Sequence, residues 1–227
     1  MKISNQTLQV LKNYSSINPN LLVRAGSVIS TISANKNIFA KCNVSERFTD
    51  TFAIYDMQQF LGIISIIEDP DFSFGSKSVV ISSGSKSIEY MYAAEEMVVS
   101  PSESVATKVA VTNPEITFDL PSQALNEILK ATSILQIDAI NIVSNGGQVK
   151  VVVSDPKNPS SNKFIVDVVG SATSDLNMVF ASENLKLING DYKVNISSNG
   201  ISSFKNDKLD LEYFVMADTK SNLKKKD

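Results

Sequence analysis

The chain has 227 residues with 43% hydrophobic content, and its 24 Asp and Glu against 21 Lys and Arg leave it weakly acidic. It has no histidine and one cysteine, Cys42, which excludes a Ser/His/Asp triad, a Cys/His pair, imidazole metal ligation and a thiolate zinc cluster within one chain. No phosphate-cradling glycine loop and no apolar run of membrane-spanning length occurs in it, so no cofactor, no membrane partner and a cytoplasmic location are expected.

In chain order, a short hydrophobic segment runs four times into a polar, cap-like residue and then an amphipathic stretch: residues 1–4, 52–56, 116–122 and 178–182. Ser4, Asp56, Ser122 and Ser182 are the expected helix caps, each able to accept from an unpaired first-turn amide. After them Leu8, Leu11 and Tyr14, then Met57, Phe60, Leu61 and Ile64, then Leu125, Ile128, Leu129 and Thr132 fall at helical spacing. The fourth stretch, 184–188, is short and closed by Asn189-Gly190. Between helices the apolar period switches to two. Strands are expected at 28–32, 38–42, 88–92, 139–143, 149–153, 164–169, 192–196 and 211–216. Repetition on this scale means copies of one supersecondary unit. The fold class is therefore α+β and sheet-dominated.

The length suits two domains of about 100 residues. Periodicity is interrupted over 93–115 by Glu95-Glu96, Pro101 and Asn113-Pro114, and a connector that long is usually functional. The division expected is 1–92, connector 93–115, 116–217, and a basic disordered tail 218–227 ending Lys224-Lys225-Lys226-Asp227. Cys42 sits in an alternating strand and reads as a small core residue in a reducing compartment. The densest carboxylates, Glu68, Asp69 and Asp71, flank Pro70 where solvated turn residues collect. The polar stripes of the helices hold few acids: Lys12, Gln58, Gln59, Gln123, Lys130 and Lys186 occupy them. If the helices share one side, that side is neutral to basic and suits loose contact with a polyanion; ordinary solvated helix faces would carry the same composition.

Four segments carry a resemblance: Leu11-Lys12-Asn13-Tyr14 with Ser16-Ile17-Asn18, Ala53 to Asp56 with Phe60-Leu61-Gly62-Ile63, Leu135 to Ile140, and Gly190 to Val194. In order and at compatible spacing, they resemble the DNA polymerase sliding clamps of T-even-type bacteriophages, collinearly from Met1 to about Met216. The resemblance implies the fold shared with proliferating cell nuclear antigen. Two similar domains of helices on antiparallel sheets would make one protomer, and three protomers would close head to tail into a homotrimeric ring. Such a ring encircles duplex DNA without reading its sequence, is loaded by a separate ATP-driven clamp loader, and tethers the polymerase and other replication, repair and transcription partners. It performs no catalysis.

By the same resemblance Lys12, Lys130 and Lys186 would face DNA, while Ser133 stands where the family carries a second basic residue. The connector Val98-Val99-Ser100-Pro101 would border a groove for the polymerase's C-terminal peptide, with Tyr213, Phe214 and Met216 from the late strand nearby. Alternation puts Leu211, Tyr213 and Val215 on one face and Phe214 and Met216 on the other, and which face meets the groove is open. The strand 87–92, with Ile88, Tyr90 and Tyr92, would pair with Phe164, Val166 and Val168 of the next subunit. The alternatives are a β-rich phage structural protein that binds no DNA, and a hydrolase working through paired carboxylates.

Overall fold

The structure, a computed structural model, describes residues 1–158, 160–218 and 221. Among the described residues it divides into two compact units, the first 1–107 with 209–211, the second the rest of 108–208 with those from 212 onward.

The first unit opens with α1 (Asn5–Ile17), β1 (Leu21–Val23), β2 (Gly26–Ile32), β3 (Ile38–Phe48), β4 (Phe52–Ile54) and α2 (Met57–Ile66). β5 (Asp71–Phe74), β6 (Ser78–Ser83), β7 (Lys86–Met91) and the short α3 (Glu103–Lys108) follow. Ser4 is extended and accepts from Thr7 N, so α1 starts where the sequence predicts. Its stripe Thr7, Val10, Leu11, Tyr14 and Ile17 is buried, and the helix stops before Pro19 because the residue preceding a proline avoids the helical region. α2 is capped by Asp56, whose carboxylate accepts from Gln59 N at 2.8 Å, and buries Met57, Phe60 and Ile64. β2 pairs antiparallel with β3, and β5, β6 and β7 form an antiparallel sheet in that order. Beyond β7, Ala93 bridges to Ala53 and a 3-10 turn spans Glu95–Met97.

The second unit contains β8 (Ile116–Leu120), α4 (Ser122–Leu135), β9 (Ala139–Asn145), β10 (Gln148–Val153), β11 (Phe164–Val168) and β12 (Gly170–Ala172). It continues with β13 (Asn177–Ala181), β14 (Tyr192–Ile196), β15 (Ile201–Asn206) and, from its second residue, β16 (Leu211–Met216). One sheet runs β11-β10-β9-β13; in another, β12-β8-β14-β15-β16 are successive neighbours. α4 packs on β9, β10 and β11 and buries Leu125, Ile128, Ala131 and Thr132. Gly170 is required where β12 pairs antiparallel with β8 opposite Phe118, since a Cβ there would lie 2.4 Å from both Phe118 Cβ and Thr117 O.

Several expectations are corrected. Ser122 is the first residue of α4, not its cap: its amide donates to Asp191 Oδ1 at 2.7 Å, a carboxylate 69 residues away doing the work expected of a local hydroxyl. The fourth helix is only a 3-10 turn, Ser182–Asn184; five residues give too few hydrogen bonds to offset helix nucleation. Lys186 therefore lies in irregular backbone. β3 extends to Phe48, six residues past its predicted end, because its alternation persists through the buried residues Cys42, Val44, Glu46 and Phe48. β1, β5, β6, β12 and β15 are strands that the sequence pattern does not announce; most are short or rich in Ser and lack a full alternation. The expected tail lies outside the described residues except for Asp218 and Ser221. Asp218 N donates to Val179 O at 2.7 Å, and Val179 N donates to Ser221 Oγ at 2.8 Å.

Candidate DNA, partner and subunit surfaces

The three candidate DNA-facing lysines have different settings. Lys12 is exposed on the face of α1 opposite its buried stripe, and Lys130 is likewise exposed on α4. Lys186 is half-buried in the stretch after the 3-10 turn. α4 also exposes Glu127, which accepts from Gln123 Nε2 at 2.9 Å, so its outer face is mixed in charge rather than basic. α2 exposes Gln58 and Gln59 and carries no acidic residue in its first turn.

The N-terminus of α1 is fastened by a buried carboxylate. Glu46, 7% exposed, accepts from Ser4 N and from Thr7 Oγ1, the latter at 2.5 Å. Burial pushes this carboxyl up, but the bonds from Thr7 and Ser4 together outweigh it and hold it below the ordinary carboxylate range. The neighbouring Cys42 thiol is pushed up to about 12, by burial first and then by Asp210 and Glu46, which keeps it in the unreactive protonated form. At the start of the chain, Lys2 Nζ lies 2.9 Å from Asp69 and 3.3 Å from Asp71. Two of the three carboxylates considered for hydrolysis thus bracket a lysine on an exposed turn. Among the described residues no group of three or more His, Cys, Asp or Glu is placed to hold a metal.

The candidate partner segment is held in place by asparagines. Asn18, 3% exposed, donates through Nδ2 to Val99 O at 2.8 Å and Ile32 O at 2.9 Å. Asn20 Oδ1 accepts from Val99 N at 2.9 Å, and Arg24 Nη2 donates to Pro101 O at 2.8 Å. These three side chains fix the path of residues 99–101, and sequence reasoning did not assign them this role. The available signal was Asn18-Pro19-Asn20, a turn whose asparagines can bond backbone at a distance. Val98 packs with Leu22 and Ala53, with Ala93 against them, so it is a core residue, while Val99 is 45% and Met97 58% exposed. In the second unit Met216 is 41% exposed, but Tyr213 and Phe214 are buried. Their assignment to a groove surface is corrected. Tyr213 Oη accepts from Ile188 N at 3.2 Å, and Leu211 and Val215 on the same face of β16 are also buried, while on its other face Phe214 is buried between half-buried Glu212 and exposed Met216.

The candidate subunit strands are the last strands of their sheets: β7 neighbours only β6, and β11 only β10 among the described residues. In β7, Tyr90 is 7% exposed and sets its ring edge-on to Phe60 at 5.1 Å, so its side chain belongs to its own core rather than to an interface. Tyr92, just past β7, stacks on Phe52 at 4.9 Å. Ile88 is half-buried and Met91 exposed. In β11 Phe164, Val166 and Val168 are half-buried on the inward face, and Ile165 points outward, 54% exposed. Both strands thus present backbone and an outer row of side chains.

Helices laid on antiparallel sheets in two successive units, each with an open strand edge, define the DNA-clamp fold. Proliferating cell nuclear antigen of Entamoeba histolytica has a similar structure, with a TM-score of 0.67 at 15% identity, covering 96% of this chain and 97% of that one. Residues 4–98 match the family described as DNA polymerase processivity factor, and residues 117–219 the one described as gp45 sliding clamp, C terminal. The sliding clamp of Vibrio phage KVP40 is 31% identical over 219 residues, spanning 95% of this chain and 98% of that protein. The sliding clamp of Escherichia phage RB69 is 29% identical over 202 residues, 86% of each. The chain belongs to the phage sliding clamp family and is a DNA polymerase processivity factor.

Proposed function

We propose that three copies close head to tail into a ring around duplex DNA, tethering the phage polymerase during replication in the host cytoplasm. The reading rests above all on end-to-end similarity to the KVP40 sliding clamp, with β7 and β11 as supporting edges. Unpaired strand edges invite pairing with another protein, and β7 of one copy meeting β11 of the next would remove both. The units would serve as clamp domains 1–92 and 116–217, joined by the connector 93–115. Lys12, Lys130 and Lys186 would contact phosphates without base reading, so affinity would be independent of sequence and sensitive to salt. Val99 with Met97 would capture the polymerase's C-terminal peptide. Opening the ring would require an ATP-driven loader. The protein itself would catalyse nothing.

Tethering raises the effective concentration of polymerase at the primer end. With cognate loader, ATP and primed DNA, the protein should therefore lengthen polymerase products without changing the rate of single-nucleotide insertion. Product lengths unchanged under verified loading would overturn the proposal.

A further inference from the structure

Three Asn-Gly pairs occur in the sequence, at 145–146, 189–190 and 199–200. In such a pair the absent Cβ lets the glycine amide nitrogen reach the asparagine Cγ, and the surroundings decide whether it does. Asn145 is held in β9 opposite Gln148, and the Gly146 amide donates to Asp175 Oδ1 at 2.9 Å. The Gly200 amide donates to Ser197 O at 3.0 Å inside a tight turn, while Asn199 Oδ1 accepts from Ile201 N at 3.2 Å. Both nitrogens are occupied.

Asn189–Gly190 differs on each count. Asn189 is exposed in a bend outside any strand or helix, and among the described residues the Gly190 amide donates no hydrogen bond. The Asn189 Oδ1 accepts from Asn126 Nδ2 at 3.0 Å, a donor aimed at the oxygen on which negative charge develops when the carbonyl is attacked. A Cβ at 190 would lie 2.5 Å from Asn206 Nδ2, so a larger residue there would displace that side-chain amide.

We propose that Asn189–Gly190 is a self-modification site at which the protein turns its own asparagine into aspartate and isoaspartate. The Gly190 nitrogen gives its proton to water or hydroxide and attacks Asn189 Cγ. The new bond from Gly190 N to Cγ forms as the bond from Cγ to Nδ2 breaks, and Nδ2 leaves as ammonia after taking up a proton. Water then opens the succinimide at either carbonyl, giving aspartate or isoaspartate with no change of oxidation state. Either product places a carboxylate beside Asn126, one helical turn before Lys130, and three residues after Lys186. The isoaspartate form also inserts a carbon into the backbone two residues before Asp191, the residue that holds the start of α4. The charge consequence rests on the DNA-facing reading of Lys130 and Lys186; the modification does not.

The full-length protein, aged at mildly alkaline pH and physiological temperature, is digested and mapped by mass spectrometry. Conversion is expected at Asn189 well ahead of Asn145 and Asn199; equal or faster conversion at either, or an intact Asn189, overturns the proposal. Asn126→Ala, checked for an unchanged melting curve, should slow conversion severalfold, and an unchanged rate removes Asn126 from the mechanism. In a separate arm, retention on duplex DNA is compared for Asn189→Asp and Asn189→Gln. Loss with Asp alone supports the charge effect. Equal retention despite confirmed conversion overturns only the DNA-facing reading of this side.

Discussion

Replacing Asn18 with alanine should loosen the connector segment 98–101 while leaving the rest of the first unit folded. The side chain is 3% exposed and donates to both Val99 O and Ile32 O, while its Oδ1 accepts from Asn20 N at 3.0 Å. Removing one partner from a buried hydrogen bond costs about 1–3 kcal/mol. The bond to Val99 is the one that ties the connector down, so the local opening free energy of residues 98–101 should fall by about that amount. A change of about 1.4 kcal/mol is a factor of ten, so hydrogen exchange at the Val99 amide should accelerate by roughly 5- to 140-fold. That amide also donates to Asn20 Oδ1, so Asn20→Ala should accelerate it independently. The polymerase's C-terminal peptide, read by fluorescence anisotropy, should bind Asn18→Ala more weakly, because a loosened groove must be ordered on binding. If exchange at Val99 is unchanged while the variant remains folded, the asparagine does not hold the connector and the reasoning fails.

Ile165→Pro should disfavour the trimer at low micromolar concentration, since proline disturbs a strand edge; sedimentation that still reports a trimer would remove β11 from the interface. Changing Lys12, Lys130 and Lys186 together to alanine should preserve assembly but reduce the salt slope of DNA association by at most about 3, roughly one counterion per lysine. An unaltered slope would make them ordinary solvated lysines. Glu46 has a folded-state pKa below the ordinary glutamate value of 4.5, so its contribution to stability is full above that pH and is lost as pH falls through the folded value. Glu46→Gln should flatten the acid limb of the stability profile, measured by urea unfolding at a series of pH values; an unchanged slope would assign acid sensitivity to other carboxylates.

Much of this fold is local chemistry and so was legible in the sequence. Ser4 and Asp56 cap their helices because the acceptor lies three residues from the amide it serves, and the stripes of α1, α2 and α4 are buried because helical spacing gathers them on one face. The collinear segments from Leu11 to Val194 carried the family for the same reason that order and spacing survive in a linear string. What lay beyond reach was set by partners distant in sequence. Asp191 caps α4, Glu46 fastens Ser4 and Thr7, and Asn18 and Asn20 hold Val99 from about 80 residues away; nothing at either end of these pairs announces the other. Alternation likewise separated the two faces of 211–216 but not their burial: Leu211, Tyr213 and Val215 are all buried, while on the other face local packing buries Phe214 and leaves Met216 exposed. Val98 and Val99 are adjacent identical residues, one packed on Leu22 and Ala53 and the other half exposed. Only tertiary packing distinguishes them, since it alone decides which side chain meets protein and which meets water.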